Sequence, residues 1–246
     1  MTTTSERPGT PSYWETVAQL AAAQKGRAAG APAYSVFVNR PAGRLLAAAA
    51  HRAGLTPNQV TAISAACSAA GILTLALVPP TVWSGMLVAF LLALGYAFDS
   101  ADGQVARLRG GGSASGEWLD HVIDCAKISL LHIAVLVAAV RFFDVPQAWL
   151  LVPLAFLALD NVAFFTIILN DSLKQIRGVP LRRPGQFRPL RSVVLLAVDY
   201  GVVCLSFVLL GWTEAFVVVY TLLCAALAGH TALALPKWFN DMRRLG

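Results

Sequence analysis

Four aspartates form two pairs at helical spacing near the middle of this 246-residue chain. Asp99 and Asp102 are three residues apart, and Asp120 and Asp124 are four residues apart. On an α-helix either spacing places both side chains on one face. A glycine run at 110–112 lies between the pairs, so two antiparallel helices joined by a short turn would aim all four carboxylates at one point. Such oxygen ligands suit a hard cation such as Mg²⁺, Mn²⁺ or Ca²⁺ rather than zinc.

The segments that must position these aspartates are apolar enough to be membrane helices. Hydrophobic residues make up 57% of the chain and charged residues 13%, against roughly 25% charged in soluble domains. We therefore predict an all-α integral membrane protein with six transmembrane helices, each near the roughly 20 residues that a bilayer requires. The predicted spans are 57–78, 82–107, 116–142, 147–170, 190–211 and 214–236.

The region before the first span carries aromatic residues and cations at helical spacing, from Ser12 to about Arg52. This pattern predicts one or two amphipathic helices on the membrane surface; an ordinary soluble amphipathic helix is the alternative. We divide the chain into an N-terminal region, 1–52, and a six-helix domain, 53–246. Residues 1–30 contain no apolar core of signal-peptide length, so we expect no cleavable signal. The four cysteines lie in apolar runs, which does not favour disulfides.

The complete string D-x-x-D-G-x-x-A-R-x8-G-x-x-x-D-x-x-x-D resembles the signature of the CDP-alcohol phosphotransferases. It runs from Asp99 to Asp124 and covers 26 residues. The resemblance implies a membrane enzyme that breaks the pyrophosphate of a CDP-activated substrate, releases CMP, and works as a homodimer. Eight fixed positions carry it: Asp99, Asp102, Gly103, Ala106, Arg107, Gly116, Asp120 and Asp124.

The family's metal ligands correspond here to Asp99, Asp102 and Asp120, and the resemblance gives Asp124 both metal contact and the role of general base. Two ions, Mg²⁺ or Mn²⁺, would clamp the attacking and leaving oxygens of the transfer. Asp124 lies one helical turn deeper than Asp120, which suits a base on the acceptor side. The alternative is a cation-stabilised helix joint without turnover.

The nucleotide pocket is assigned by the same resemblance. Gly103 and Gly116 lack a Cβ, so the backbone can approach a ligand closely. In the family these glycines, with the residues at Ala106 and Arg107, line the cytidine and pyrophosphate pocket. Arg107 would contact phosphate oxygens, or would only mark the end of the second span. Asp102 belongs to this pocket as well.

A second segment similar to the family lies at the start of the first span. Thr56 is a predicted N-cap and Pro57 a first-turn residue, so part of the pattern is simply how a helix begins. In the family the equivalent asparagine and threonine lie beside the nucleotide. Asn58 and Thr61 are therefore candidates for cytidine contacts.

The acceptor side is predicted from basic residues. Lys127 shares a helical stripe with Asp124, and a buried lysine needs a partner; it would either meet the acceptor or only balance charge. Six cations lie between Lys174 and Arg191, and family members that use inositol phosphate carry basic residues in this region. Arg188 and Arg191 are candidates for binding an acceptor phosphate, although membrane topology alone also predicts cations here.

Other polar residues inside the spans leave two interpretations open. His121, His132 and His230 are predicted to be helix contacts rather than ligands. The pairs Asp160–Asn161 and Asp199–Tyr200 would either line a cavity for a polyol or hold helices together.

Basic residues also predict the orientation of the chain. Six lie before the first span, six between the fourth and fifth, and three after the sixth, whereas the opposite side carries only Arg141. By the positive-inside rule, both termini and the aspartates face the cytoplasm of a multi-pass protein of the cell membrane. The cations lie next to the membrane, so the net charge of +6 indicates lipid headgroups and phosphorylated substrates as partners rather than nucleic acid.

The resemblance favours transfer of the phosphatidyl group of CDP-diacylglycerol to a polar alcohol such as inositol phosphate or glycerol phosphate. An alternative within the family is donation by a soluble CDP-alcohol to a lipid hydroxyl. A divalent-cation transporter is an alternative of another class, but its acidic groups would extend through the membrane rather than cluster at one end. A catalytically dead scaffold is disfavoured because no motif position is lost.

Overall fold

The computed structural model describes residues 12–23, 32–179 and 195–245, and within these ranges the chain is helical and contains no strand. A π-helical turn, Ser35–Asn39, leads into α2, and 3₁₀ turns precede α6 (Gln147–Leu150) and flank α7 (Leu195–Val198 and Phe207–Gly211). The α-helices of the described ranges are α1 Tyr13–Ala23, α2 Arg40–Arg52, α3 Pro57–Leu77, α4 Val82–Leu108, α5 Ala114–Phe142, α6 Leu151–Ile176, α7 Tyr200–Ser206 and α8 Thr213–Arg243.

Five of these helices are long and apolar enough to cross a membrane: α3, α4, α5, α6 with its 3₁₀ turn, and α8. This confirms the predicted all-α, multi-pass membrane architecture. In the predicted fifth span the structure describes residues 195–211, which include a shorter apolar helix, Tyr200–Gly211. Residues 190–194 lie outside the described ranges. The count of six spans stays a prediction.

Two helices continue well past their predicted ends. We predicted ends at residues 170 and 236, but α6 reaches Ile176 and α8 reaches Arg243. The predictions followed the apolar runs, whereas polar and charged residues with good helix propensity prolong a helix beyond the apolar region.

The ends of α3, α4 and α5 are fixed by local hydrogen bonds. Thr56 and Thr81 each form a capping box with the residue three positions later, which satisfies otherwise unpaired amides of the first turn. Ser113 caps α5 through its Oγ, which accepts a hydrogen bond from the Gly116 amide at 3.1 Å. Gly111, with a φ of 131°, lies in the left-handed region that glycine favours. The turn thereby reverses the chain between the two aspartate pairs.

Small residues let α3 and α4 approach closely, as is typical of membrane helices. A Cβ built on Gly95 would lie 2.3 Å from the Ser68 Oγ. The Ser64 hydroxyl donates to the Gly95 carbonyl at 2.8 Å. Around this pair of helices, the main core is formed by buried side chains from α3 to α8, the largest being Tyr220, Phe207, Phe216, Leu92 and Leu131.

The helix α2 packs against the end of α4 that carries the first aspartate pair. Ala47 and Ala50 are buried in a second cluster of apolar side chains. A Cβ on Gly43 would lie 2.8 Å from the Ser100 side chain, and the Gln104 side-chain amide donates to the Arg40 carbonyl at 3.4 Å. The predicted N-terminal helix therefore lies beside the candidate site, and the domain division after residue 52 stays a prediction.

Candidate active site

Three carboxylates from α4 and α5 converge as the helical spacing predicted. Asp99 comes from α4, and Asp120 and Asp124 come from α5; one oxygen of each lies within 4.8 Å of the others. The Oδ1 atom of Asp120 is buried and has no hydrogen-bond partner within the described ranges. Three neighbouring carboxylates, one of which has an unpaired buried oxygen, fit a hard divalent cation, which takes oxygen ligands.

Asp102 makes different contacts. Its Oδ2 accepts a hydrogen bond from the Thr61 hydroxyl at 2.7 Å, and its Oδ1 accepts one from the Gly103 amide at 2.5 Å. Asp102 is 7% exposed and is not part of the three-carboxylate group that the described structure brings together. Its role as a fourth metal ligand stays a prediction. Thr61 lies at the site, where it contacts an aspartate of the motif.

Lys127 lies between two of the three carboxylates. Its Nζ is 2.5 Å from Asp99 Oδ1 and 2.6 Å from Asp124 Oδ1, and its side chain is only 9% exposed. A lysine at membrane depth is retained when it is paired, and the structure supplies both partners. Lys127 therefore balances the negative charge of the cluster. Its predicted contact with the acceptor is compatible with this position and stays a prediction.

The residues predicted to hold the nucleotide come from three helices, α3, α4 and α5. A Cβ built on Gly116 at the start of α5 would lie 3.2 Å from the Asn58 Oδ1 at the start of α3, so the glycine permits this close approach. On α4, a Cβ on Gly103 would lie 3.8 Å from an Arg107 guanidinium nitrogen, and Ala106 is buried. Their contacts with cytidine or pyrophosphate stay predictions.

A cavity of about 590 Å³ opens from the carboxylates into the helix bundle. Asp99, Asp124 and Lys127 line it together with residues of α6, α7 and α8. Its volume lies in the range of about 300 to 1,000 Å³ typical of ligand sites. The other walls are mainly apolar and include Tyr96, Phe156, Phe164, Val203, Leu227 and Trp238.

Two predicted acceptor residues, Arg188 and Arg191, lie outside the described residues. From the same basic segment, the structure describes Lys174 in the last turn of α6. It also describes Arg177, whose guanidinium donates to the Leu245 carbonyl at 3.3 Å. The acceptor role of Arg188 and Arg191 stays a prediction.

The histidines of α5 differ in their surroundings. His121 lies 3.8 Å from Asp120 and 3.9 Å from Glu117 and is partly exposed. The His132 ring is fully buried, with Nδ1 2.6 Å from the Tyr220 hydroxyl and Nε2 3.1 Å from Asp160. This confirms the prediction that His132 is a hydrogen-bonded helix contact.

The two polar pairs that the sequence left open have separate roles. Asp199 holds helices together: its Oδ1 accepts a hydrogen bond from the Gly201 amide at 2.9 Å, and its Oδ2 accepts one from the Ser35 amide at 3.0 Å. Asp160 lines the cavity and also contacts His132 of the neighbouring helix α5. Sequence reasoning noticed Asp160 as a polar residue inside a span, but it did not connect it with His132.

The chain matches one family over most of this region. Residues 54–224 match the family described as CDP-alcohol phosphatidyltransferase, which is more than half of the chain. The chain belongs to the CDP-alcohol phosphatidyltransferase family. Membership confirms the resemblance given by the motif from Asp99 to Asp124, and the matched region contains the carboxylate cluster.

Among curated proteins, this chain is similar to the phosphatidylinositol phosphate synthase of Mycobacteroides abscessus, with 44% identity over 79 residues. That alignment covers 32% of this chain and 34% of the relative. Alignments with the curated relatives span about a third to a half of their length.

Solved structures of Mycobacterium tuberculosis phosphatidylinositol phosphate synthase are similar over most of both chains. The complex with manganese and citrate has 28% identity and a TM-score of 0.53, covering 79% of this chain and 87% of that one. The structure with CDP-DAG bound has 27% identity and a TM-score of 0.53, covering 82% of this chain and 94% of that one. The fold of this chain is thus similar to that of a synthase structure that contains manganese.

Proposed function

We propose that this protein transfers the phosphatidyl group of CDP-diacylglycerol to a hydroxyl of a phosphorylated polyol such as inositol phosphate, with release of CMP. The observation that carries the proposal is the meeting of Asp99, Asp120 and Asp124, because two of them, Asp99 and Asp124, line a cavity large enough for an acceptor. The related synthase with CDP-DAG bound supports the donor. The names of the relatives support the acceptor.

The cation would be Mg²⁺ or Mn²⁺, held by Asp99, Asp120 and Asp124, and the related complex with manganese supports this choice. When bound, it would neutralise negative charge on the phosphoryl oxygens during transfer. Asp102 would complete a two-metal site after its carboxylate turns from Thr61, to which it is hydrogen-bonded at 2.7 Å.

Asp124 would act as the general base. Its carboxylate would take the proton of the acceptor hydroxyl, whose oxygen then attacks the phosphorus that carries diacylglycerol. The bond from that phosphorus to the bridging oxygen breaks, and CMP leaves with the electron pair. The Nζ atom of Lys127 is 2.6 Å from Asp124 Oδ1 and would hold this carboxylate in place.

The nucleotide would lie on the side of the cluster formed by Asn58, Gly103 and Gly116, with Arg107 near the pyrophosphate. The close approach of Asn58 to Gly116 supports this placement, because a side chain at Gly116 would fill the gap between α3 and α5. We also propose that the site faces the cytoplasm, where nucleotides are, and that the protein works as a homodimer, as the family resemblance implies.

The test is CMP release by purified protein supplied with CDP-diacylglycerol and a panel of alcohols. We expect inositol phosphate or glycerol phosphate to support release, excess chelator to abolish it, and Mg²⁺ or Mn²⁺ to restore it. Asp120→Asn should lose activity, whereas Asp144→Asn, in the exposed segment after α5, should keep it. Full activity in chelator, or preference for an unphosphorylated alcohol, would contradict the proposal.

A further inference from the structure

A second polar group lines the cavity outside the signature motif. It consists of Asp160 on α6 and His132 on α5, with Asp160 Oδ2 3.1 Å from His132 Nε2. The His132 ring stacks on Phe156 with centroids 4.2 Å apart, and its Nδ1 is 2.6 Å from the Tyr220 hydroxyl. The imidazole is fully buried, while the Asp160 side chain is 26% exposed. The histidine is thus fixed on both sides, and the carboxylate points to accessible space.

Asp160 lies deeper in the bundle than the carboxylate cluster. Asp160 contacts His132, which lies eight residues beyond Asp124, or roughly 12 Å along the helix axis. Its neighbour Asn161 accepts hydrogen bonds from the Ser129 hydroxyl at 3.1 Å and from the Cys125 thiol at 3.5 Å. Asp124, Lys127 and Asp160 nevertheless line one continuous cavity.

The chemistry of Asp160 suits a hydroxylated ligand. Only Oδ2 has a hydrogen-bond partner among the described residues, so Oδ1 can accept a hydrogen bond from a ligand. A carboxylate inside a membrane protein is costly unless polar groups contact it. An acyl chain in the cavity would bury Oδ1 without a donor, whereas a polyol would supply one.

We propose that Asp160 binds hydroxyl groups of the acceptor alcohol and that His132 is the residue that positions its carboxylate. The inference rests on the proposed function and adds where the acceptor lies. The reacting hydroxyl would meet Asp124 at the mouth of the cavity, and the remaining hydroxyls would extend towards Asp160. Asp160 would then select polyhydroxylated acceptors over those with a single hydroxyl.

The experiment compares wild type with Asp160→Asn, a change of nearly constant size that removes the negative charge. Three acceptors with decreasing hydroxyl number are used: inositol phosphate, glycerol phosphate and 3-hydroxypropyl phosphate. Because a hydrogen bond to a charged group is lost, we expect the KM for inositol phosphate to rise about tenfold or more. The preference among the three acceptors should become smaller. The KM for CDP-diacylglycerol and the Tm should stay as in wild type.

Calorimetric binding of inositol phosphate, measured without CDP-diacylglycerol, gives a readout that is independent of turnover. We expect about tenfold weaker binding by Asp160→Asn and no change in the matched control Asp144→Asn. An unchanged Kd and KM for inositol phosphate would overturn the inference, as would a lower Tm with unchanged binding, which indicates a helix contact only. A rise confined to the KM for CDP-diacylglycerol would also overturn the inference and would indicate that Asp160 contacts the lipid substrate. Absence of CMP release by wild type with all three acceptors would instead refute the proposed function.

Discussion

Replacing Lys127 by methionine tests how the carboxylate cluster is held together. Methionine keeps the length of the side chain and removes its charge. Nζ of Lys127 is 2.5 Å from Asp99 and 2.6 Å from Asp124, so the variant leaves two carboxylates without their cation. Removing one partner of a buried ion pair costs about 3–5 kcal/mol. Because the two carboxylates are 19% and 24% exposed, we expect the lower end, about 3 kcal/mol.

That loss should appear as a lower thermal stability in chelator. At about 2–4 °C for each kcal/mol in a domain of this size, the Tm should fall by about 6–12 °C. Adding Mn²⁺ should recover most of it, because a ligand at 100 times its Kd stabilises by about 2.7 kcal/mol. The rise in Tm on adding Mn²⁺ should be larger in Lys127→Met than in wild type, since the cation no longer meets a resident ammonium group.

The assay is thermal unfolding in detergent, with chelator and with Mn²⁺, for wild type, Lys127→Met and Lys174→Met. Lys174 is a lysine in the last turn of α6 that does not line the cavity, so its variant should behave as wild type. Equal Tm values for Lys127→Met and wild type in chelator would refute the charge-balancing role. An Mn²⁺ response no larger than that of wild type would refute competition for the same carboxylates.

Three further predictions concern other residues. Asp124→Asn should lower turnover roughly 10²- to 10⁴-fold, the scale of general-base loss, with CDP-substrate binding retained by calorimetry; loss of binding as well would make Asp124 mainly a metal ligand. Gly201→Ala would place a Cβ 2.0 Å from the Tyr34 ring, so we expect the free energy of unfolding to fall by about 1–3 kcal/mol. An unchanged Tm would show that Tyr34 moves freely. Arg188→Gln or Arg191→Gln should raise the KM for a phosphorylated acceptor about 10- to 150-fold without changing that for CDP-diacylglycerol; an unchanged acceptor KM in correctly inserted protein would leave these arginines as topology signals.

Local sequence patterns were sufficient for the helices and for the centre of the site. The spacing of Asp120 and Asp124 places both on one face of α5 whatever packs against it, because helical periodicity is a property of the backbone. The caps at Thr56 and Ser113 likewise follow from hydrogen bonds within a few residues. A short glycine turn between two apolar helices then leaves an antiparallel pair as the simplest arrangement.

Contacts between distant residues were decided only by the tertiary structure. The sequence predicted that four carboxylates aim at one point. In the structure Asp102 is hydrogen-bonded to Thr61, 41 residues away, and one oxygen of each of the other three lies within 4.8 Å of the others. The sequence also left the role of Lys127 open. Its ion pair with Asp99, 28 residues away, is visible only in the structure. Such contacts depend on how helices rotate and cross, which a pattern within one helix does not encode.

The contacts among Asp160, His132 and Tyr220 also depend on the tertiary structure. The sequence marks Asp160, His132 and Tyr220 as polar or aromatic residues inside three separate apolar segments, with no spacing that connects them. Packing of α5, α6 and α8 brings them within hydrogen-bond distance. Because a buried polar group must find a partner, the sequence by itself determined that such residues need contacts. Only the fold decided that Asp160 shares a cavity with Asp99 and Asp124.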